Sequence, residues 1–107
     1  MKGERHFAMK EETEKLLERF LDDEGRVKQL PSKSAPRDAV LCYLAQKFEF
    51  EVEYKEREVN AILTQWHTFN DYFILRRSLI EAGYLKRLND GSKYWKNPEK
   101  STETAEE

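Results

Sequence analysis

The stretch from Asp71 to Trp95 constrains the fold more than any other part of the sequence. Apolar residues recur there at helical spacing, and the pattern stops at Gly83, where a helix commonly ends in a residue with positive φ. The run Asn89-Asp90-Gly91 suits the positive φ of a hairpin turn, and a short apolar or aromatic segment lies on each side of it. A helix followed directly by a two-stranded ribbon is typical of the second half of a winged helix-turn-helix.

The chain before this stretch supplies the other elements of that fold. Apolar periodicity predicts three more helices, and strict alternation of apolar and acidic residues predicts a strand that would pair with the hairpin. In chain order these are a helix over residues 11–21, an extended segment over 26–30, a helix over 37–48, the strand over 49–54 and a helix over 55–66. The predicted fold class is α+β, mainly helical: a winged helix-turn-helix with an additional N-terminal helix and a small antiparallel sheet.

Local signals place the helix ends and the inward faces. Ser34 is expected to cap the helix over 37–48, and either Asn70 or Asp71 is expected to cap the last helix. The inward face of the last helix is predicted to carry Tyr72, Leu75, Leu79 and Ala82. Phe73 and Ile74 leave that face, so we expect them to be exposed. Either these two residues or a free face of the N-terminal helix would offer a surface for a homodimer.

Length and charge indicate one small domain between acidic ends. The chain has 107 residues and a formal net charge of -2, with net charges of -3 over residues 1–25, +4 over 26–96 and -3 over 97–107. We expect a flexible N-terminus over 1–10, a single winged-helix domain over 11–96 and a disordered acidic tail over 97–107. A single cysteine excludes an intramolecular disulfide, and without a long apolar run we expect a cytoplasmic protein with no membrane partner.

Basic residues of the last helix are the first candidates for a nucleic-acid contact. Arg76 and Arg77 would touch phosphates or base edges if this helix entered a major groove. The alternative is that they pair with nearby carboxylates, for which the sequence offers Glu56, Glu58, Asp71 and Glu81.

Two further basic groups extend the candidate surface. Lys86, Arg87, Lys93 and Lys96 lie on or beside the predicted wing, where they would contact phosphates or protect an exposed sheet edge from aggregation. Lys33 and Arg37 approach the N-terminus of a helix, which suits phosphate binding, although a solvated loop is the alternative. The moderate basic charge of the domain counts against a strong nucleic-acid contact.

The sequence contains no pattern typical of catalysis or metal binding. His6, His67 and Cys42 are too few and too scattered for a structural zinc site. The chain has neither a nucleophile elbow nor a phosphate-cradling glycine loop. We therefore expect no enzymatic activity, no metal and no cofactor.

Several separated runs resemble one bacterial family. These runs are RFLDDEGRVKQLPSK at residues 19–33, YKEREVNAIL at 54–63, DYFILRRSLIEAGYL at 71–85 and GSKYW at 91–95. Together they resemble the domain of unknown function 2087 (DUF2087) family over about residues 15–96. The sequence departs from the family pattern at Lys55, where a Thr or Ser is usual, and in the loop over 68–70, which is more apolar than usual.

The resemblance implies a function in transcription. Members of the family are small bacterial domains, sometimes fused to a helix-turn-helix regulator, and are described as candidate transcriptional regulators. We therefore expect a DNA-binding transcriptional regulator of winged-helix type. The alternatives are a winged-helix protein–protein interaction module and a ligand-sensing module without DNA binding, for example one that holds a small anion between Arg76, Arg77 and the Lys33 loop.

Overall fold

The computed structural model describes residues 14–100, in which four helices precede one two-stranded antiparallel sheet. In chain order these are α1, described over residues 14–18, α2 (Ser34–Ala45), α3 (Glu56–Gln65), α4 (Tyr72–Glu81), β1 (Leu85–Arg87) and β2 (Tyr94–Lys96). The predicted fold class, α+β and mainly helical with a small antiparallel sheet, is confirmed. Predictions that fall on residues 1–13 and 101–107 lie outside the described residues. Within residues 14–100, no helix is long and apolar enough to cross a membrane.

Helix α4 lies at the centre of the packing, in contact with α2, α3 and β1. Each of the three longer helices contributes a pair of fully buried apolar residues spaced four apart. The pairs are Val40 and Leu44 on α2, Val59 and Leu63 on α3, and Leu75 and Leu79 on α4. Residues four apart lie on one face of a helix, so each pair faces the shared core. Burying each such side chain stabilises the fold by about 1.5–3 kcal/mol.

The connection between α3 and α4 is held by a buried histidine. His67 is 5% exposed, its Nδ1 lies 2.6 Å from the carbonyl oxygen of Leu63, and its Nε2 accepts the backbone N–H of Asp71 at 2.7 Å. Because Asp71 donates, Nε2 carries no proton and Nδ1 donates to Leu63. The carboxylate of Asp71 then caps α4 by accepting the backbone N–H of Ile74 at 3.1 Å. Of the two predicted caps, Asp71 is therefore the residue that caps this helix.

The predicted helix stop and hairpin are present. Gly83 has a φ of +86° directly after α4, and Gly91 has a φ of +76° in the hairpin turn. Leu85 pairs with Lys96, and Arg87 pairs with Tyr94, in antiparallel register. Successive residues of a strand point to opposite faces, so these four side chains share one face of the ribbon.

The predicted third strand over residues 49–54 is absent. Only Tyr54 pairs with the hairpin, through an isolated bridge to Tyr94. Glu51 has a φ of +66°, which breaks an extended backbone, and Phe50 is 45% exposed. The alternation in this segment therefore reflects one bridging tyrosine and a tight turn rather than a strand. The extended segment over 26–30 likewise forms only isolated bridges, both made by Val27.

Other local predictions also need correction. Helix α2 begins at Ser34 itself and follows Lys33, which makes no side-chain cap hydrogen bond, so Ser34 is not the cap. Tyr72 is 39% exposed and does not face the core. At the C-terminal end of the described residues, the Asn97 side chain donates to the carbonyl oxygen of Gly83 at 2.9 Å, and Lys100 donates to that of Ala82 at 2.6 Å. The packed chain thus extends as far as Lys100.

Candidate functional site

A cleft of about 560 Å³ separates α4 from the hairpin. We call it the α4–hairpin cleft; α4 lines it with Phe73, Arg77 and Ile80, and the hairpin lines it with Arg87 and Tyr94. The three α4 residues recur every three or four positions, so they form a stripe on one face of the helix. This stripe lies on the side of α4 away from Leu75 and Leu79, which explains how one helix serves both the core and the cleft.

Arg76 is fixed at the base of the cleft by partners on α3. Its guanidinium group donates to the side-chain oxygen of Asn60 and lies 3.7 Å from a carboxylate oxygen of Glu56. It also lies 5.3 Å from the centre of the Phe73 ring, and its side chain is only 13% exposed. The Tyr94 hydroxyl donates to Glu56 at 3.1 Å and closes the network. Arg76 is therefore committed to contacts within the protein.

The two other arginines of the cleft are held more loosely. Arg77 makes an ion pair of 3.1 Å with Glu81, and both side chains are more than half exposed. Such a surface pair contributes at most about 1 kcal/mol, so an external ligand can replace it at little cost. Arg87 donates to the carbonyl oxygens of Leu88 and Asn89, each at 3.1 Å. Arg77 and Arg87 are therefore the two arginines of the cleft that can exchange their protein partners for a ligand, and we call them the exchangeable arginines.

Burial and hydrogen bonding shift two proton equilibria in the hairpin. Burial raises the pKa of the Tyr94 hydroxyl, while the charge of Arg76 acts in the opposite direction. Hydrogen bonds from Ser92, first from its hydroxyl and then from its backbone N–H, lower the pKa of Asp90 below the ordinary value of an aspartate. At neutral pH the tyrosine is therefore an uncharged donor and Asp90 a carboxylate.

The predicted wing lysines do not join the cleft. Lys86 pairs with Trp95 in the sheet register, so it lies on the face of the ribbon opposite Arg87. Lys93 forms an ion pair of 3.2 Å with Glu53. Lys96 was predicted at the surface and is instead 5% exposed.

Lys96 points inward because it shares the face of Leu85. Its ammonium group donates to the carbonyl oxygen of Phe48 at 3.1 Å and lies 4.2 Å from the centre of the Phe50 ring. Burial lowers the pKa of this lysine. Lys96 therefore joins the hairpin to the segment after α2, and its ammonium group is engaged within the protein.

The predicted anion site near the start of α2 is also separate from the cleft. Arg37 donates to the carbonyl oxygen of Pro31 at 3.3 Å and to the hydroxyl of Ser78 at 3.0 Å. Ser78 is a buried residue of α4, so Arg37 connects α2 to the inward side of α4. Lys33 is exposed before α2 and does not line the cleft with Arg76 and Arg77.

The cleft carries as many negative as positive charges. Its charged lining consists of Arg76, Arg77, Arg87, Glu56, Glu81 and Asp90. Glu56 and Glu81 are two of the carboxylates that the sequence offers as partners for Arg76 and Arg77. Asn60, the other partner of Arg76, is not among the predicted residues. The signal was available, because Glu56 and Asn60 are four residues apart and so lie on one face of α3. Among residues 14–100, no group of three or more His, Cys, Asp or Glu side chains is placed to hold a metal ion.

Three consecutive residues at the start of α4 have exposed apolar side chains, and one of them, Phe73, lines the cleft. Tyr72, Phe73 and Ile74 are 39%, 54% and 37% exposed, in agreement with the prediction for the last two. A second cleft of about 410 Å³ lies between the N-terminal ends of α3 and α4, and Phe73 and Arg76 line both clefts. Phe73 therefore forms a ridge with a depression on each side. We call the exposed surface at the start of α4, with Phe73 at its centre and Tyr72 and Ile74 on its two flanks, the α4 apolar patch.

Comparison with known proteins identifies a family but no characterised relative. The family model described as "Uncharacterized protein conserved in bacteria (DUF2087)" matches residues 26–96, which is more than half of the 107-residue chain. No curated protein and no solved structure matches the sequence. Evidence on function therefore comes from the geometry of the site.

Proposed function

The chain belongs to the DUF2087 family of bacterial proteins, and we propose that it is a winged-helix protein-interaction module whose contact surface is the α4 apolar patch with the α4–hairpin cleft. One observation carries this proposal. Large apolar side chains on the helix of the expected recognition element are exposed, while the cleft beside them carries equal numbers of positive and negative side chains. Protein interfaces combine aromatic and arginine anchors with few uncompensated charges.

The electrostatics of the surface argue against phosphate as the main ligand. A protein that grips duplex DNA needs cations that are free to neutralise phosphates. Here Arg76 is paired with Glu56, and Lys96 is buried with its ammonium group on the carbonyl oxygen of Phe48. The start of α3, which crosses the DNA backbone in a helix-turn-helix complex, carries the carboxylates of Glu56 and Glu58. These carboxylates would repel a phosphate backbone laid along α4.

A DNA-binding transcriptional regulator is the second candidate function. The order of α3, turn, α4 and hairpin favours it, because this is the order of a winged helix-turn-helix. The exchangeable arginines Arg77 and Arg87 also favour it, since they line one cleft from two different elements. Under either function we expect the protein to work in the bacterial cytoplasm.

A salt titration of duplex binding separates the two candidates. Fluorescence anisotropy would follow a labelled random-sequence duplex with the wild type and with the double variant Arg77→Ala/Arg87→Ala, at salt concentrations from about 20 to 200 mM. The variant Lys86→Ala is the matched control, because it removes a cation from the opposite face of the hairpin.

The interaction module predicts negligible duplex binding throughout this range. Duplex binding that weakens steeply with salt would refute the interaction module in favour of the regulator. In that case the salt slope should fall by about 1–2 in Arg77→Ala/Arg87→Ala and stay unchanged in Lys86→Ala.

A further inference from the structure

We propose that the partner is a second copy of this chain, with Phe73 of each protomer seated in the α4–hairpin cleft of the other. This inference rests on the proposed function, because it names the occupant of the same surface. Two independent features of that surface support the inference, namely its balance of charge and its shape.

The charge balance suits contact between identical surfaces. In a twofold dimer, a residue that meets a different residue of the partner is met by that same residue in return. A surface dominated by one sign would repel its copy, whereas the cleft has three arginines and three carboxylates. Arg77 and Glu81 lie four residues apart on α4 and pair weakly within the chain. Two antiparallel copies of α4 would allow each Arg77 to pair instead with Glu81 of the other protomer.

The relief of the surface is also self-complementary. Phe73 projects as a ridge and is 54% exposed, and it forms one wall of the neighbouring cleft. Because ridge and cleft lie side by side, a twofold axis between them places each ridge in the opposite cleft. Ile80 lines that cleft and gives the phenyl ring an apolar contact. The open cleft has a volume of about 560 Å³, which leaves room for a phenyl ring.

A segment of a different protein, or a nucleic acid, is less well matched to this surface. An acidic segment would gain from Arg77 and Arg87 but would meet Glu81 and Asp90 in the same cleft. A phosphate backbone would meet the same carboxylates. A second copy brings charges of both signs and one aromatic ridge, which is the complement of what the surface displays.

Sedimentation equilibrium of the full chain from about 1 to 500 μM tests the proposal. The wild type is expected to show a reversible monomer–dimer equilibrium, and Phe73→Asp is expected to raise the dimer dissociation constant by at least about tenfold. Phe50→Asp is the matched control, since Phe50 is similarly exposed but lies away from the cleft. Circular dichroism would verify that both variants are folded.

A charge exchange adds a test that does not depend on Phe73. Arg77→Glu and Glu81→Arg should each weaken the dimer, because each places like charges opposite one another. The double variant should restore the dimer, since the reciprocal pairs then re-form with their signs reversed. A wild type that is monomeric at every concentration would overturn the inference, as would a dimer that is indifferent to Phe73→Asp and to the charge exchange. The duplex titration decides the proposed function separately, so a monomer without duplex affinity contradicts the inference alone.

Discussion

Substituting His67 by alanine should destabilise the protein strongly, because this buried side chain joins the end of α3 to the start of α4. The change removes two hydrogen bonds, from Nδ1 to the carbonyl oxygen of Leu63 at 2.6 Å and from the Asp71 N–H to Nε2 at 2.7 Å. It also removes an edge-on contact with the Phe69 ring, whose centre is 4.7 Å away. The alanine offers no replacement partner for the Asp71 N–H, whereas the Leu63 carbonyl oxygen keeps its bond from the Trp66 N–H.

The magnitude follows from the interactions that are lost. The Leu63 carbonyl oxygen keeps the backbone N–H of Trp66 at 3.0 Å, so its lost hydrogen bond costs about 1 kcal/mol, and the ring contact with Phe69 contributes about 1 kcal/mol more. A backbone group that is left unpaired costs about 1–3 kcal/mol. Asp71 is exposed, so water can reach its N–H and the lower part of that range applies to it. We expect a total loss of about 3 kcal/mol in the free energy of unfolding. For a domain of this size, that loss lowers the melting temperature by about 12–24 °C.

Urea unfolding followed by circular dichroism at 222 nm would measure the loss. Thr68→Ala is the matched control, because Thr68 is the exposed neighbour of His67 and its backbone N–H keeps its bond to Val27. The control should change the free energy of unfolding by less than about 0.5 kcal/mol. A loss below about 1 kcal/mol for His67→Ala would refute the reasoning, since the turn would then be held by other contacts.

Three further predictions concern the hairpin. Gly91→Ala should cost about 1–2 kcal/mol in thermal unfolding, because a φ of +76° strains any residue with a Cβ atom; an unchanged melting temperature would contradict this. Asp90 has a lowered pKa, so its contribution to stability is present above the ordinary aspartate value near 3.9 and is lost as the pH falls through the lower folded value. Between pH 5 and 2, the melting temperature of Asp90→Asn should therefore fall less than that of the wild type. An identical fall in both proteins would rule the effect out. Lys96 has a lowered pKa, so on raising the pH the folded chain loses this proton before the unfolded chain does. The wild type should therefore gain stability relative to Lys96→Met as the pH rises toward the ordinary lysine value near 10.4, and a stability difference that is independent of pH would refute this effect.

Local chemistry made the second half of the fold predictable from sequence. The spacing of Leu75 and Leu79 indicated the inward face of α4, and Gly83 and Gly91 marked the two positions where the backbone takes positive φ. These signals succeed because each depends on neighbours along the chain. The strand predicted over 49–54 is wrong because the positive φ of Glu51 interrupts the extended backbone. A positive φ is uncommon for glutamate, so the residue type does not indicate it.

The candidate site was harder to predict because its charges depend on tertiary partners. The sequence identified Arg76 and Arg77 as important but left open whether they face carboxylates or phosphates. That choice is determined by the packing of α3 against α4, which brings Glu56 beside Arg76. Lys96 could have been placed correctly, since a strand that turns Tyr94 inward also turns the residue two positions later inward.

The attachments of β2 determine how the hairpin moves. Tyr94 exchanges two backbone hydrogen bonds of 2.8 Å with Tyr54, Lys96 reaches the carbonyl oxygen of Phe48, and Asn97 holds the carbonyl oxygen of Gly83. A hairpin tied to the core at three successive points cannot swing as a flexible arm. Its amide hydrogens should exchange with solvent at rates close to those of the helical core. An occupant of the cleft therefore meets a wall that is already in place, and binding there requires little loss of conformational entropy in the hairpin.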